Sequence, residues 1–323
     1  MSAYGSHPLR ALVVGCAAAV LGIAAVLTEP AERPTVTSFA AGSSVTGVKV
    51  GAAGDIACDP ESPSFRDGAD RGLECGQQTT SDVLARASYD VVLVLGDIQY
   101  EDGAYSKFLR SYDPSWGRVK EITRPVPGNH EYRDDRATGY FRYFGDSAGD
   151  PATGYYSFDV GGWHVIALNS NCAEVGGCGE GSAQEAWLRA DLAASPARCT
   201  LAYWHHPRYS SGLHGSDRTY RAFWQALYDA GADLVLVGHD HDYERFAPQD
   251  ANGRRDDARG LRQFVVGTGG HSLRMFPRVE PNSEVRDASS FGVLELTLGA
   301  NAYAWHFRPA VGSFTDAGSA TCH

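Results

Sequence analysis

The chain lacks the net positive charge that a polyanion would require. Its formal charge is -11 over 323 residues, and residues 1–40 contribute none of it, because Arg10 and Arg33 cancel Glu29 and Glu32. Such an acidic body argues against DNA or RNA as an obligate partner. It leaves room for a small anion, which a local site can attract against the charge of the whole. Cysteine pairs at CxxC spacing are also missing, which removes the common cysteine zinc sites. Gly267-Thr268-Gly269-Gly270 is not followed by the lysine and hydroxyl residue of a nucleotide phosphate loop, so it reads as a tight turn. No internal repeat or low-complexity segment is present, which excludes stacked-repeat architectures.

What remains is a chain that is 43% hydrophobic and 21% charged, enough to bury a sizeable core. Arg10 precedes an uncharged apolar run from Ala11 to Leu27, short for a transmembrane helix and followed by a polar stretch rich in Pro, Thr and Ser. Small residues at Ser38 and Ala40 suit a signal peptidase, so residues 1–40 read as a signal peptide cleaved near Ala40, and 41–47 as a linker. The alternative is an uncleaved N-terminal anchor, the one arrangement that would bring a membrane into play. Removing Cys16 with the leader leaves six cysteines, an even count that suits disulfides in a secreted or cell-surface protein. Six cysteines allow fifteen pairings; proximity in sequence favours Cys58 with Cys75 and Cys172 with Cys178, leaving Cys199 for Cys322.

Along the body, Val48–Ala53 reads as a strand ending on Asp55, Gln78–Ala87 as a helix, and Tyr89–Leu95 as a buried strand ending on Asp97. Glu121–Pro127 leads into Gly128-Asn129-His130 in the same way, and Tyr155–Val160 with Trp163–Asn169 forms a hairpin turning at Gly161-Gly162. Ala183–Ala194 is a helix capped by Ser182, Cys199–Trp204 a strand delivering His205, Thr219–Ala230 a helix, and Asp233–Val237 a strand delivering His239. Gln263–Val266, Phe291–Leu298 and Ala302–Phe307 read as strands of a second sheet. The expected fold class is α/β, a two-sheet α/β sandwich flanked by helices. Ligands in such sheets gather at the carboxyl ends of the strands.

Five short islands stand at those ends: GDIACD (Asp55), GDIQY (Asp97, Tyr100), GNHEY (Asn129, His130), WHHPRYSSGLH (His205, His206, His214) and GHDHDY (His239, His241). Oxygen donors come early and imidazoles late, the set required by two adjacent metal ions sharing one carboxylate. An Asp after Gly is by itself a turn residue. The series of islands in this order points to a dinuclear metal hydrolase.

The series GDxA, GDxxY, GNHE, HxP and GHxH resembles the calcineurin-like metallophosphoesterases, and the tyrosine of GDIQY makes it most like their purple acid phosphatase branch. The resemblance runs from about Val48 to about Phe307. Plant-type members carry a β domain before the first motif; only about a dozen residues separate Ala40 from Asp55, so a single catalytic domain spanning 48–323 is expected. The resemblance implies that Asp97 bridges two metal ions, that Asp55, Tyr100 and His241 complete one site, and that Asn129, His205 and His239 complete the other. His130 matches a phosphate-contacting residue, and His214 one that binds substrate or protonates the leaving oxygen. His206 stands one residue after the ligand and is assigned to the substrate-binding set. Two carboxylates and a tyrosinate with one hydroxide leave a trivalent plus divalent pair at plus one, so the resemblance favours Fe(III) with Zn, Mn or Fe. The implied reaction is attack of a metal-bound hydroxide on a phosphomonoester. A phosphodiesterase on the same scaffold, acting on a cyclic nucleotide, a nucleic-acid end or a phospholipid head group, is the alternative.

Other histidines have plainer readings. His164, His271 and His306 lie on apolar strands or a glycine loop and read as satisfied core or edge residues. Arg208 and Tyr209 are expected to line the mouth of the cleft, and Tyr243, Glu244 and Arg245 to be structural.

Overall fold

The computed structural model describes residues 45–66 and 74–323. The expected leader at 1–40 and the first part of the linker lie outside the described residues. No helix among the described residues is long and apolar enough to cross a membrane.

Three parallel strands, β1 (Val48–Ala53), β2 (Val91–Leu95) and β3 (Thr123–Val126), begin the first sheet. Helix α1 (Gln77–Arg86) joins the first two as a crossover. A single turn, α2 (Tyr105–Lys107), and then α3 (Thr138–Phe144) follow β2 and β3. The second sheet opens with the hairpin β4 (Tyr156–Val160) and β5 (Trp163–Ala167), then takes α4 (Ala183–Ala194), β6 (Cys199–Tyr203), α5 (Arg221–Asp229) and β7 (Leu234–Val237). It continues through β8 (Tyr243–Phe246), β9 (Arg262–Val266) and β10 (Ser283–Asp287), in the spatial order β10-β8-β9-β7-β6-β5-β4. The chain then returns to the first sheet with β11 (Phe291–Leu298), β12 (Ala302–Val311) and β13 (Ala317–Thr321), giving the order β13-β12-β11-β1-β2-β3.

Alternation along the strands builds the layers. On β5, β6 and β7 one set of residues (Val165, Leu201, Tyr203, Leu234, Leu236) joins Val50, Leu93 and Leu294 of the first sheet in a shared core. The intervening set (Ile166, Ala202, Val235, Val237) packs with Leu188 of α4 and Phe223, Trp224 and Leu227 of α5. The sheets therefore face one another, with helices outside. Ser182 caps α4 as its sequence position implies, its hydroxyl accepting the Glu185 N–H.

One expectation is corrected. Of the three late segments assigned to a second sheet, only β9 belongs there, beside β7. β11 pairs antiparallel with β1, Val48 opposite Leu298, and carries β12 and β13 into the first sheet. Both faces of β11 are almost wholly buried, so its side-chain pattern names no sheet. All three disulfides have the pairing that proximity favoured: Cys58–Cys75, Cys172–Cys178 and Cys199–Cys322.

Candidate metal centre

The loops leaving β1, β2, β3, β6 and β7 meet at one end of the sandwich, and the five islands meet with them. Backbone conformation aims the side chains. Asp55, Asp97 and His239 have φ of 59°, 47° and 70°, a left-handed region that non-glycine residues enter at a cost, concentrated at functional sites. The turn at His239 lets residues two apart in GHDHD serve different parts of the cluster.

Tyr100 Oη lies 2.9 Å from Asp55 Oδ1, 3.3 Å from Asp97 Oδ2 and 3.1 Å from His241 Nε2. His241 Nε2 is 3.3 Å from Asp55 Oδ1. A second group adjoins the first: His205 Nε2 is 3.2 Å from Asp97 Oδ2 and 3.2 Å from His239 Nδ1. Asp97 Oδ2 thus belongs to both groups. Donor atoms ~2.0–2.2 Å from one ion lie ~2.8–3.6 Å from each other at tetrahedral or octahedral angles, so both groups have the spacing of a coordination shell.

In four of these residues the second polar atom of the side chain is already bound outward. Asp55 Oδ2 accepts the His239 N–H at 2.9 Å, and Asp97 Oδ1 the His130 N–H at 2.8 Å. His205 Nδ1 is tied to the Leu95 carbonyl at 2.8 Å and His241 Nδ1 to Ser272 Oγ at 2.6 Å. Such outer contacts fix a ligand's orientation and leave the inward atom free. Asn129 Oδ1 is buried with no hydrogen-bond partner, an orphan that an ion would satisfy.

Charges in the metal-free chain follow the same geometry. Burial pushes the Asp97 carboxyl up, but His205 beside it more than compensates and holds it well below its usual range. Burial pulls His205 down, yet Asp97 raises it to about 9. Burial, with Asp55 and Asp97 alongside, drives the Tyr100 phenol well above its ordinary value. Burial and the proximity of His205 push His239 down and His206 down to about 3. An imidazole held neutral, as at His239, keeps the lone pair that a metal requires, whereas a metal at His205 would have to displace a proton.

The three histidines expected to meet substrate flank the cluster. His130 places its ring 4.2 Å from that of Tyr100, with Nδ1 held by the Glu101 carbonyl at 2.6 Å. His214 sits 4.2 Å from the His239 ring, and Arg274 Nη1 contacts its Nε2 at 3.0 Å. The His206 ring is 4.4 Å from that of His239, its Nδ1 bonded to Ser170 Oγ at 2.8 Å.

Several neighbours carry no such expectation. Glu131 is fully buried and accepts the N–H groups of Ile98, Gln99 and Gly128, clamping the second island to the third. Burial and Asp97 raise its carboxyl to about 7. Its place in GNHEY was the available signal. Asp240 accepts the N–H groups of His214 and Gly215 and so shapes the loop carrying His214. His271 is a correction: it stacks on Tyr100 with centroids 3.6 Å apart, and so lies at the centre. The Gly267–Gly270 turn brings it there, its N–H donating to the Asp55 carbonyl. Arg208 and Tyr209 are corrected in the opposite sense. Both are buried, bonded to the Ala251 and Asp250 carbonyls, away from the mouth. His164, between Asp159 and Asp191, and His306, on Thr315, are satisfied as expected.

The calcineurin-like phosphoesterase family model matches residues 49–243. Purple acid phosphatase 21 of Arabidopsis thaliana is 31% identical over 258 residues, covering 70% of this chain and 56% of that protein. The chain spans about half the length of the curated relatives it matches. Among solved structures, purple acid phosphatase PPD1 from yellow lupin seeds superposes with a TM-score of 0.69 at 17% identity, over 86% of this chain and 54% of that one. A dimetal phosphatase from Danio rerio superposes with a TM-score of 0.56 at 16% identity, over 84% and 98%. At these identities the superpositions speak for the fold.

Proposed function

As the chain belongs to the calcineurin-like phosphoesterase family, we propose that it is an exported acid phosphatase whose dinuclear centre hydrolyses phosphomonoesters. The carrying observation is the sharing of Asp97 Oδ2 between two groups of donor atoms. Asp55, Tyr100 and His241 would hold one ion with Asp97; Asn129, His205 and His239 would hold the other. Ions bound there lower the pKa of bound water and offset the charge of the phosphate. A phenolate at Tyr100 beside two carboxylates would balance a trivalent ion better than a divalent one, which favours Fe(III) in its site and Zn, Mn or Fe in the other.

The rest of the work falls to the histidines. His130 and His214 stand on either side of the cluster, within reach of a phosphate seated over it. His214, on the exposed rim with its ring 4.2 Å from that of His239, is placed to contact the phosphate or the leaving oxygen. His206 meets the cluster through His239 and contacts substrate beside it. Three disulfides support an extracellular site of action.

The test is hydrolysis of a chromogenic phosphomonoester and its matching diester at acidic and neutral pH, before and after metal stripping. Metal-dependent cleavage dominated by the monoester is the expected result; dominance of the diester would move the chain to the phosphodiesterases. Asp97→Asn should lose more than the ~10–100-fold typical of an outer-shell partner and should lower bound metal in parallel.

A further inference from the structure

At the mouth of the centre, the loop carrying His214 meets the loop that follows β9. Arg274 stands at the junction, its N–H donating to the His241 carbonyl at 2.9 Å and its Nη1 to His214 Nε2 at 3.0 Å. A guanidinium has five donors and no acceptor, so this contact uses one donor and occupies the imidazole lone pair. No carboxylate pairs with Arg274 among the described residues, whereas nearby Arg133 pairs with Glu101 and Arg278 with Glu280. A half-buried guanidinium beside His214, with no carboxylate partner among the described residues, is poised to take an anion from the substrate.

Resting on the phosphatase reading, we infer that Arg274 binds the phosphoryl group and sets the preference for monoesters over diesters. Arg274 stands at the rim of the donor cluster, beside His214, whose ring lies 4.2 Å from that of His239. With some phosphoryl oxygens turned toward the cluster, a monoester dianion still offers a charged oxygen toward the rim. A diester has one charged oxygen fewer and a second ester group, which a charged donor fork does not reward.

The experiment compares the metal-loaded wild type with Arg274→Gln, Arg274→Lys and Arg278→Gln. It measures kcat/KM on an aryl phosphomonoester and its matching diester, and calorimetric binding of inorganic phosphate. Arg274→Gln should lower monoester kcat/KM by about 10- to 100-fold, as loss of a hydrogen bond to a charged group predicts, and weaken phosphate binding, with diester kcat/KM nearly unchanged. Arg274→Lys should recover part of both losses. Arg278→Gln, which removes the same charge from a paired residue of the same loop, should change neither. Equal losses on both esters, or phosphate binding unaffected by Arg274→Gln, would overturn the assignment. Should the wild type cleave neither ester, the phosphatase reading fails, and phosphate binding alone decides for or against Arg274.

Discussion

Asp97 shows how one side chain is divided between tasks: Oδ1 accepts the His130 N–H, and Oδ2 faces donors from both groups. Tyr100 would have the most specific role beside it: if it binds Fe(III) as a phenolate, charge transfer between the two would colour the protein, and Tyr100→Phe should abolish any visible absorption band of the loaded enzyme. A band that survives would take Tyr100 out of the coordination set. Glu131→Gln tests the clamp behind the centre. An amide oxygen can still accept, but its NH2 group cannot satisfy the N–H donors facing Glu131. A loss of about 1–3 kcal/mol in unfolding free energy is expected from denaturation curves. That oxygen donors and imidazoles would gather at one end of the strands was legible from the order of the motifs. His271 and Arg274 were not, because each gains its role through contacts with residues far away in sequence, Tyr100 and His214.

Elements contribute by ending in the right place. β1, β2, β3 and β7 were readable from runs closed by glycine and a polar residue, and β6 from an apolar run closed by His205; their boundaries fall within a few residues of those expected. β8, β10 and β13 were not: they are short, and β10 and β13 are largely unburied, so they carry little apolar signal. Gly96, between β2 and Asp97, has φ +83°, and a Cβ there would stand 2.6 Å from His205 Nδ1 and 2.8 Å from Gly128 N. Gly96→Ala therefore strains the turn and displaces a ligand. It should lower both the melting temperature and the metal content per chain, the latter read by elemental analysis.

For the whole molecule, the return of the chain to β1 through β11 was the least legible feature, since antiparallel pairing across most of the domain leaves no local trace. The Cys199–Cys322 bridge, closing 123 residues, ties the final segment to the start of β6. Its removal in a Cys199→Ala, Cys322→Ala variant should cost about 2–5 kcal/mol, measured by urea denaturation. Alkaline stability is set by buried phenols. Burial raises Tyr112, Tyr140, Tyr156, Tyr203 and Tyr243 well above an ordinary tyrosine. The folded chain thus keeps protons that the unfolded chain releases above about pH 10, and stability falls as pH rises from there. Tyrosine ionisation, followed by ultraviolet absorbance, should coincide with loss of structure rather than precede it.

If the five loops form one two-ion catalytic unit, titrating metal-stripped protein with metal while following phosphomonoester hydrolysis should give a rate that rises to a plateau at two bound ions per chain. Full activity at one ion, or none at any loading, would contradict it.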